Sequence, residues 1–193
     1  MTKNRLEAFS DGVLAIIITI MVLELKAPHE ASWHALTELW PEFVSYIISF
    51  LMIAIYWGNH HHLMHTISHV QSGILWANTH LLFWLSLIPF ATAWMGENHF
   101  SENTVAAYAI LLNLCGIAYY ILLIVMKKCN KGNKKLMELL ANQLRKGLLS
   151  CIIYTAAIGM AFVKPVISEI LFIVVGILWL IPDRNIERSL KDN

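Results

Sequence analysis

Long apolar runs alternate with short polar interruptions along this chain, at the spacing a lipid bilayer demands. A helix needs about 20 mainly apolar residues to cross the hydrocarbon core. Runs of that kind fall at about residues 7–26, 40–64, 72–95, 103–126, 147–163 and 166–181. Polar or helix-stopping residues divide them: Glu24-Leu25-Lys26-Ala27-Pro28, the link His29-Glu30-Ala31-Ser32-Trp33-His34, the cluster His60-His61-His62, and Gly96-Glu97-Asn98-His99. Pro41 suits the first turn of the second run, and Pro89 lies inside the third. Lys164-Pro165 marks a tight turn before the sixth run, and Pro182-Asp183 ends it. One long stretch is hydrophilic, residues 127–146. Its Leu136, Leu139, Leu140 and Leu144 recur at helical spacing, which predicts a short interfacial helix. Trp33, Trp40, Trp94 and Trp179 sit near run ends, where they read as interfacial anchors.

This pattern predicts an all-α polytopic membrane protein, one domain over residues 1–193 with six transmembrane helices. Composition agrees: 58% of residues are hydrophobic and only 14% charged, against roughly 25% charged in soluble domains. A net charge of +1 gives nucleic acid no footing. Six crossings place Lys3, Arg5, the 127–146 link and the tail residues Arg184, Arg188 and Lys191 on one side. That side holds 12 of the 14 basic residues, leaving Lys26 and Lys164 opposite, so both termini read as cytoplasmic. No small-residue cleavage site follows the first run, which reads as a spanning helix rather than a removable leader. Cys115, Cys129 and Cys151 lack CxxC spacing and read as small core residues or free thiols. The two halves of the chain share no motif, so any central pore needs several copies.

Ionisable groups concentrate where the first run begins. Arg5, Phe9, Ser10 and Asp11 precede Gly12, and one hydroxyl, Thr19, interrupts the apolar residues beyond. A carboxylate at the mouth of a span is costly without a partner and marks a functional-site hypothesis. His60 and His61 end the second run on the side where the first begins, and Trp76, Asn78 and His80 open the third from that side. Imidazole or indole N–H groups from this set are the expected partners of Asp11. His61, His65 and His69 recur at i, i+4, i+8, which suits a metal. With no cysteine or carboxylate nearby in sequence to complete a ligand set, they read as interface and network histidines, and no metal or cofactor is expected. Ile16, Thr19, Ile20 and Leu23 share one face of the first helix. In a run that is apolar all round, periodicity alone leaves packing, lipid and pore readings open. No nucleophile–base pair, phosphate loop or H-E-x-x-H motif points to an enzyme.

Three motifs resemble one family. Arg5-x-x-x-Phe9-Ser10-Asp11 at the head of the first span, Tyr56-Trp57-x-x-His60-His61 at the end of the second, and Leu87-Ile88-Pro89-Phe90-x-Thr92 in the third are similar to the transmembrane-protein-175 family of potassium channels. The likeness covers about residues 5–95. The resemblance implies a homotetramer in a prokaryotic inner membrane, with the first helix of each copy lining a central pore and no carbonyl filter. It implies a hydrophobic constriction at Ile16, Ile20 and Leu23, a hydroxyl ring at Thr19, and potassium as the permeant ion near Thr19 and Ile16. Phe9, Ser10 and Asp11 would hold the pore helix through His60 or His61 and Trp76 or Asn78. Two rivals use the same residues. One is a proton- or cation-coupled transporter that titrates Asp11 with His60 or His61, and the other is a non-conducting assembly protein.

Overall fold

A computed structural model describes residues 2–67, 69–129 and 134–180. Within them the chain forms eight helices and no strand: α1 (Lys3–Leu23), α2 (Trp33–Glu38), α3 (Trp40–His65), α4 (Ser72–Leu85), α5 (Ile88–Glu97), α6 (Glu102–Cys129), α7 (Lys134–Ala161) and α8 (Pro165–Leu180). By length and apolarity α1, α3, α4 with α5 (Ser72–Glu97), α6 and Met137–Ala161 of α7 suffice to cross a membrane. The α8 helix is apolar but shorter, at 16 residues. These six apolar segments follow the six runs expected from the sequence. The expected stop at Pro182-Asp183 and the basic tail lie outside the described residues, as does Lys131.

Three details depart from the sequence reading. The third run is two helices. A proline ring clashes with the carbonyl four residues back, which here belongs to Leu85, and α4 ends at that residue. The chain turns through Ser86-Leu87, and Pro89 falls in the first turn of α5, where its missing N–H costs nothing. Second, the hydrophilic stretch is no separate interfacial helix. Between Lys134 and Ala161 no proline stops the helix, and Leu139, Leu140 and Gln143 are buried, with Tyr119 Oη donating to Gln143 Oε1 at 3.4 Å. The fifth span is therefore the far half of one 28-residue helix. Third, the link after the first span contains a helix, α2, whose N-cap Ser32 accepts from the Ala35 amide at 3.1 Å.

Between α5 and α6 the chain reverses through His99 and Phe100, both left-handed with φ of 50° and 55°. The Phe100 amide donates to Met95 O and the His99 amide to Gly96 O, each at 3.0 Å, which closes the last turn of α5. Phe100 is buried and stacks on Trp40, and these contacts hold a conformation that a bulky side chain rarely adopts.

The central helix is α6, which packs against α4, α5, α7 and α8 and buries Tyr108, Leu112, Cys115, Leu122 and Met126. The α1 helix lies at the margin, touching α3, α4 and α5. Its start meets the end of α3 and the start of α4, and beyond its end Lys26 pairs with Glu97 at 3.2 Å. Both groups of that pair are exposed, so it contributes little.

The end of α5 approaches the start of α3 closely. A Cβ on Gly96 would lie 2.6 Å from Ser45 Oγ and 2.9 Å from Glu42 Cα, a backbone atom that cannot swing aside. Gly96→Ala is expected to destabilise the purified protein by about 1–3 kcal/mol through overpacking. Gly159→Ala, where a Cβ would meet nothing within 4 Å, is expected to leave thermal unfolding unchanged or slightly later, as helix propensity favours alanine.

Candidate functional site

The α1 helix carries two stripes. Leu6, Ser10, Leu14, Ile17 and Met21 recur at the helical period and are buried against α3, α4 and α5. Phe9, Gly12, Ile16, Thr19, Ile20 and Leu23 recur on the other side, and the chain leaves them uncovered: Ile16 is 59% exposed and Leu23 77%. A Cβ on Gly12 would meet no atom of the described residues within 4 Å, so among them this glycine permits no close approach. Thr19 donates its hydroxyl hydrogen to Ile16 O at 2.8 Å. The hydrogen is thus turned inward along the helix, and the lone pairs of the oxygen remain free to accept.

Ser10 is the one polar member of the buried stripe. Its hydroxyl donates to Leu6 O and accepts from Asn78 Nδ2 on α4, each at 2.9 Å. Because the amide nitrogen of Asn78 is the donor there, its Oδ1 is the acceptor for His60 Nε2 at 2.6 Å, which fixes His60 as the tautomer protonated on Nε2. All three side chains are fully buried. Three helices, α1, α3 and α4, are thereby joined through one amide.

A second set lies beside it, nearer solvent. Trp57 Nε1 donates to Asp11 Oδ1 at 3.0 Å. The Trp57 ring stacks on His61, centroids 5.9 Å apart. Glu7 Oε1 lies 3.0 Å from His61 Nδ1 and 3.4 Å from His65 Nε2. Glu7 and Asp11 are four residues apart on α1, and Trp57, His61 and His65 are four apart on α3. Two antiparallel helices bring these stripes face to face.

The partner expected for Asp11 is thus corrected. His60 goes to Asn78 and Asn78 to Ser10, His61 goes to Glu7, and the indole of Trp57 reaches Asp11. Residue direction explains this. Ser10 stands about 100° around the helix from Asp11, so the two face different neighbours. Arg5 and Phe9 are exposed, Arg5 has no partner among the described residues, and Trp76 is 71% exposed. Within one chain these three stand outside the bonded set. His69 leaves the histidine face because α3 ends at His65. Sequence reasoning passed over Glu7 and Trp57 as partners, although their four-residue spacings from Asp11 and His61 were readable.

A third buried polar group sits deeper, where α3, α5 and α6 meet. Ser49 Oγ lies 2.8 Å from Tyr108 Oη and 2.7 Å from Thr92 Oγ1, and Thr92 also reaches Ile88 O at 2.7 Å. No signal in the apolar runs singled out Ser49 or Tyr108.

Apolar helices of spanning length, buried polar side chains bonded across helices and uncovered apolar stripes define a multi-pass membrane protein. The sequence profile of the endosomal/lysosomal potassium channel TMEM175 matches residues 5–89. A protein of Chryseobacterium sp. (strain P1-3) named as a potassium channel is 52% identical over 193 residues, covering the whole of both chains. One of Streptomyces collinus, also named as a potassium channel, is 34% identical over 125 residues, 61% of each. The crystal structure of a lysosomal potassium-selective channel TMEM175 homolog from Chamaesiphon minutus superposes with a TM-score of 0.82 at 24% identity, covering 92% of this chain and 96% of that one, which shows the fold. This chain belongs to the TMEM175 family. The family is one of ion channels, and the chain is not an enzyme.

Asn78→Ala leaves the buried N–H of His60 without its acceptor and removes the donor to Ser10, at about 1–3 kcal/mol for each orphaned group. Trp57→Phe removes one bond at a half-exposed carboxylate where water can replace the indole. Thermal unfolding of the detergent-purified variants is expected to rank Asn78→Ala well below Trp57→Phe, and Trp57→Phe slightly below the parent.

Proposed function

We propose that the chain is the protomer of a potassium-preferring cation channel, a homotetramer in a prokaryotic inner membrane with both termini cytoplasmic. Four α1 helices line its pore. Ile16, Ile20 and Leu23 form the hydrophobic constriction, Thr19 forms a hydroxyl ring between them, and no carbonyl filter is used. The whole chain, residues 1–193, is one six-span channel unit.

One observation carries this reading: the α1 stripe holding Ile16, Thr19, Ile20 and Leu23 faces away from every described helix of its own chain. A marginal helix with one stripe locked by Ser10-Asn78-His60 and the other left open is what a pore-lining element requires. The 52% identical relative named as a potassium channel supports the same conclusion. Chemically, rings of isoleucine exclude water and gate by dewetting, while hydroxyl oxygens offer dipoles to a partly dehydrated cation. The inward-turned Thr19 hydrogen supports that role, since it leaves the oxygen as an acceptor. Arg5 and Phe9 continue the open stripe toward the chain start, and Ser10, Asp11, Glu7 and their partners position the helix. A transporter that titrates Asp11 directly against His60 or His61 gains no support, because those side chains are bonded elsewhere.

Liposome flux under an outward potassium gradient tests the proposal. Ile16→Asn is expected to hydrate the constriction and raise flux severalfold; unchanged flux from normally assembled protein would remove Ile16 from the pore. Thr19→Ala is expected to shift the bi-ionic reversal potential toward equal potassium and sodium permeability, and an unshifted potential would take Thr19 out of selectivity.

A further inference from the structure

We infer that Glu7, His61 and His65 form a binding site for a divalent transition-metal ion of the Zn2+ class that fastens α1 to α3. The sequence alone offered histidines without a carboxylate. Folding supplies one from 54 positions away in the chain: Glu7 Oε1 lies 3.0 Å from His61 Nδ1 and 3.4 Å from His65 Nε2, and the three ligand atoms lie within 4.8 Å of one another. In a tetrahedral site with metal–ligand bonds of about 2.0–2.1 Å, neighbouring ligand atoms stand about 3.3 Å apart. The two Glu7 distances bracket that value, and the two imidazole nitrogens, within 4.8 Å of each other, come to the ion by side-chain rotation.

Ligand chemistry and surroundings agree. Two imidazoles and one carboxylate are a set that zinc accepts, with a fourth position left for water. The histidines are four residues apart on one helical face, the spacing by which a helix presents two ligands to one ion. Glu7 is largely buried, with a side chain 15% exposed, whereas His61 and His65 are about 40% exposed, which gives the ion a path from solvent. Trp57 stacks on the His61 ring and limits its rotation. The same three side chains also bond one another, His61 Nδ1 and His65 Nε2 each lying against Glu7 Oε1, so the cluster holds together whether or not it is loaded. Loaded, it adds a bond between α1 and α3 one turn from the Asp11–Trp57 contact.

Binding is tested independently of conduction. Full-length protein in detergent, stripped with EDTA, is titrated with Zn2+ by calorimetry and with Co2+ by visible absorption. The expected result is one Zn2+ per chain, Co2+ bands of low-coordinate geometry, and a higher unfolding temperature with Zn2+, since a ligand of the folded state stabilises it by mass action. His65→Gln changes a half-exposed residue at the end of α3 and is expected to fold. It should weaken Zn2+ by at least the about 10–100-fold that loss of an outer-shell partner costs. Glu7→Gln should do the same, while His34→Gln, in an exposed pair with Glu38 on α2, should bind like the parent. No saturable Zn2+ binding by the parent, or undiminished binding by His65→Gln, overturns the site.

Discussion

Asn78 commits both ends of its amide to other helices, and the placement of α1 depends on it. In a bilayer no water competes for buried hydrogen bonds, so each polar group carried into the bundle must find its partner within the protein. Ser10 and His60 are such groups, and neither can satisfy the other directly. The amide between them supplies a donor to one and an acceptor to the other, and its two distances, 2.9 and 2.6 Å, leave little freedom of rotation or rise. Sliding α1 by one residue would carry Ser10 away from the Asn78 amide and leave that buried N–H without its acceptor, while the Asn78–His60 bond still ties α4 to α3.

That constraint gives α1 its two characters. The stripe through Leu6, Ser10, Leu14, Ile17 and Met21 is committed to the chain, so the stripe through Phe9, Ile16, Thr19, Ile20 and Leu23 is left outward. A helix that was apolar on every side could turn about its axis at small cost. The buried hydroxyl prevents this, and the flanking contacts of Asp11 with Trp57 and of Glu7 with His61 and His65 add polar restraints on the same two helices. Deeper in the bundle, Ser49, Tyr108 and Thr92 play the corresponding part for α3, α5 and α6. The break at Ser86-Leu87 belongs to the same design, since it lets α5 leave the line of α4 and pack against α3, with Gly96 at the point of nearest approach.

The polar side chains are distributed by depth. Glu7, Asp11, His61 and His65 are partly exposed and face one another across α1 and α3, where an ion or water can reach them, whereas the fully buried set is neutral: a hydroxyl, an amide and an imidazole held as one tautomer. Neutral groups can be satisfied in a low-dielectric interior by hydrogen bonds alone, while a carboxylate needs either solvent access or a strong donor.

By itself the sequence determined that the chain is all-helical and membrane-spanning, where its apolar runs lie, and that Ser10, Asp11, His60 and Asn78 belong near one another. Bilayer thickness and the cost of buried polar groups are strong enough constraints to be read from composition and spacing. The sequence also placed Ile16, Thr19, Ile20 and Leu23 on one face, but in an apolar run the packed and open faces look alike, and only the folded neighbours of α1 separate them. Tertiary structure alone decided which donor meets which acceptor. Helical period fixes the direction of a side chain on its own helix, but not the rise and rotation of that helix against another some 50 residues away. For that reason Asp11 meets Trp57 rather than a histidine, and Glu7 completes a cluster with His61 and His65 that no local pattern announced.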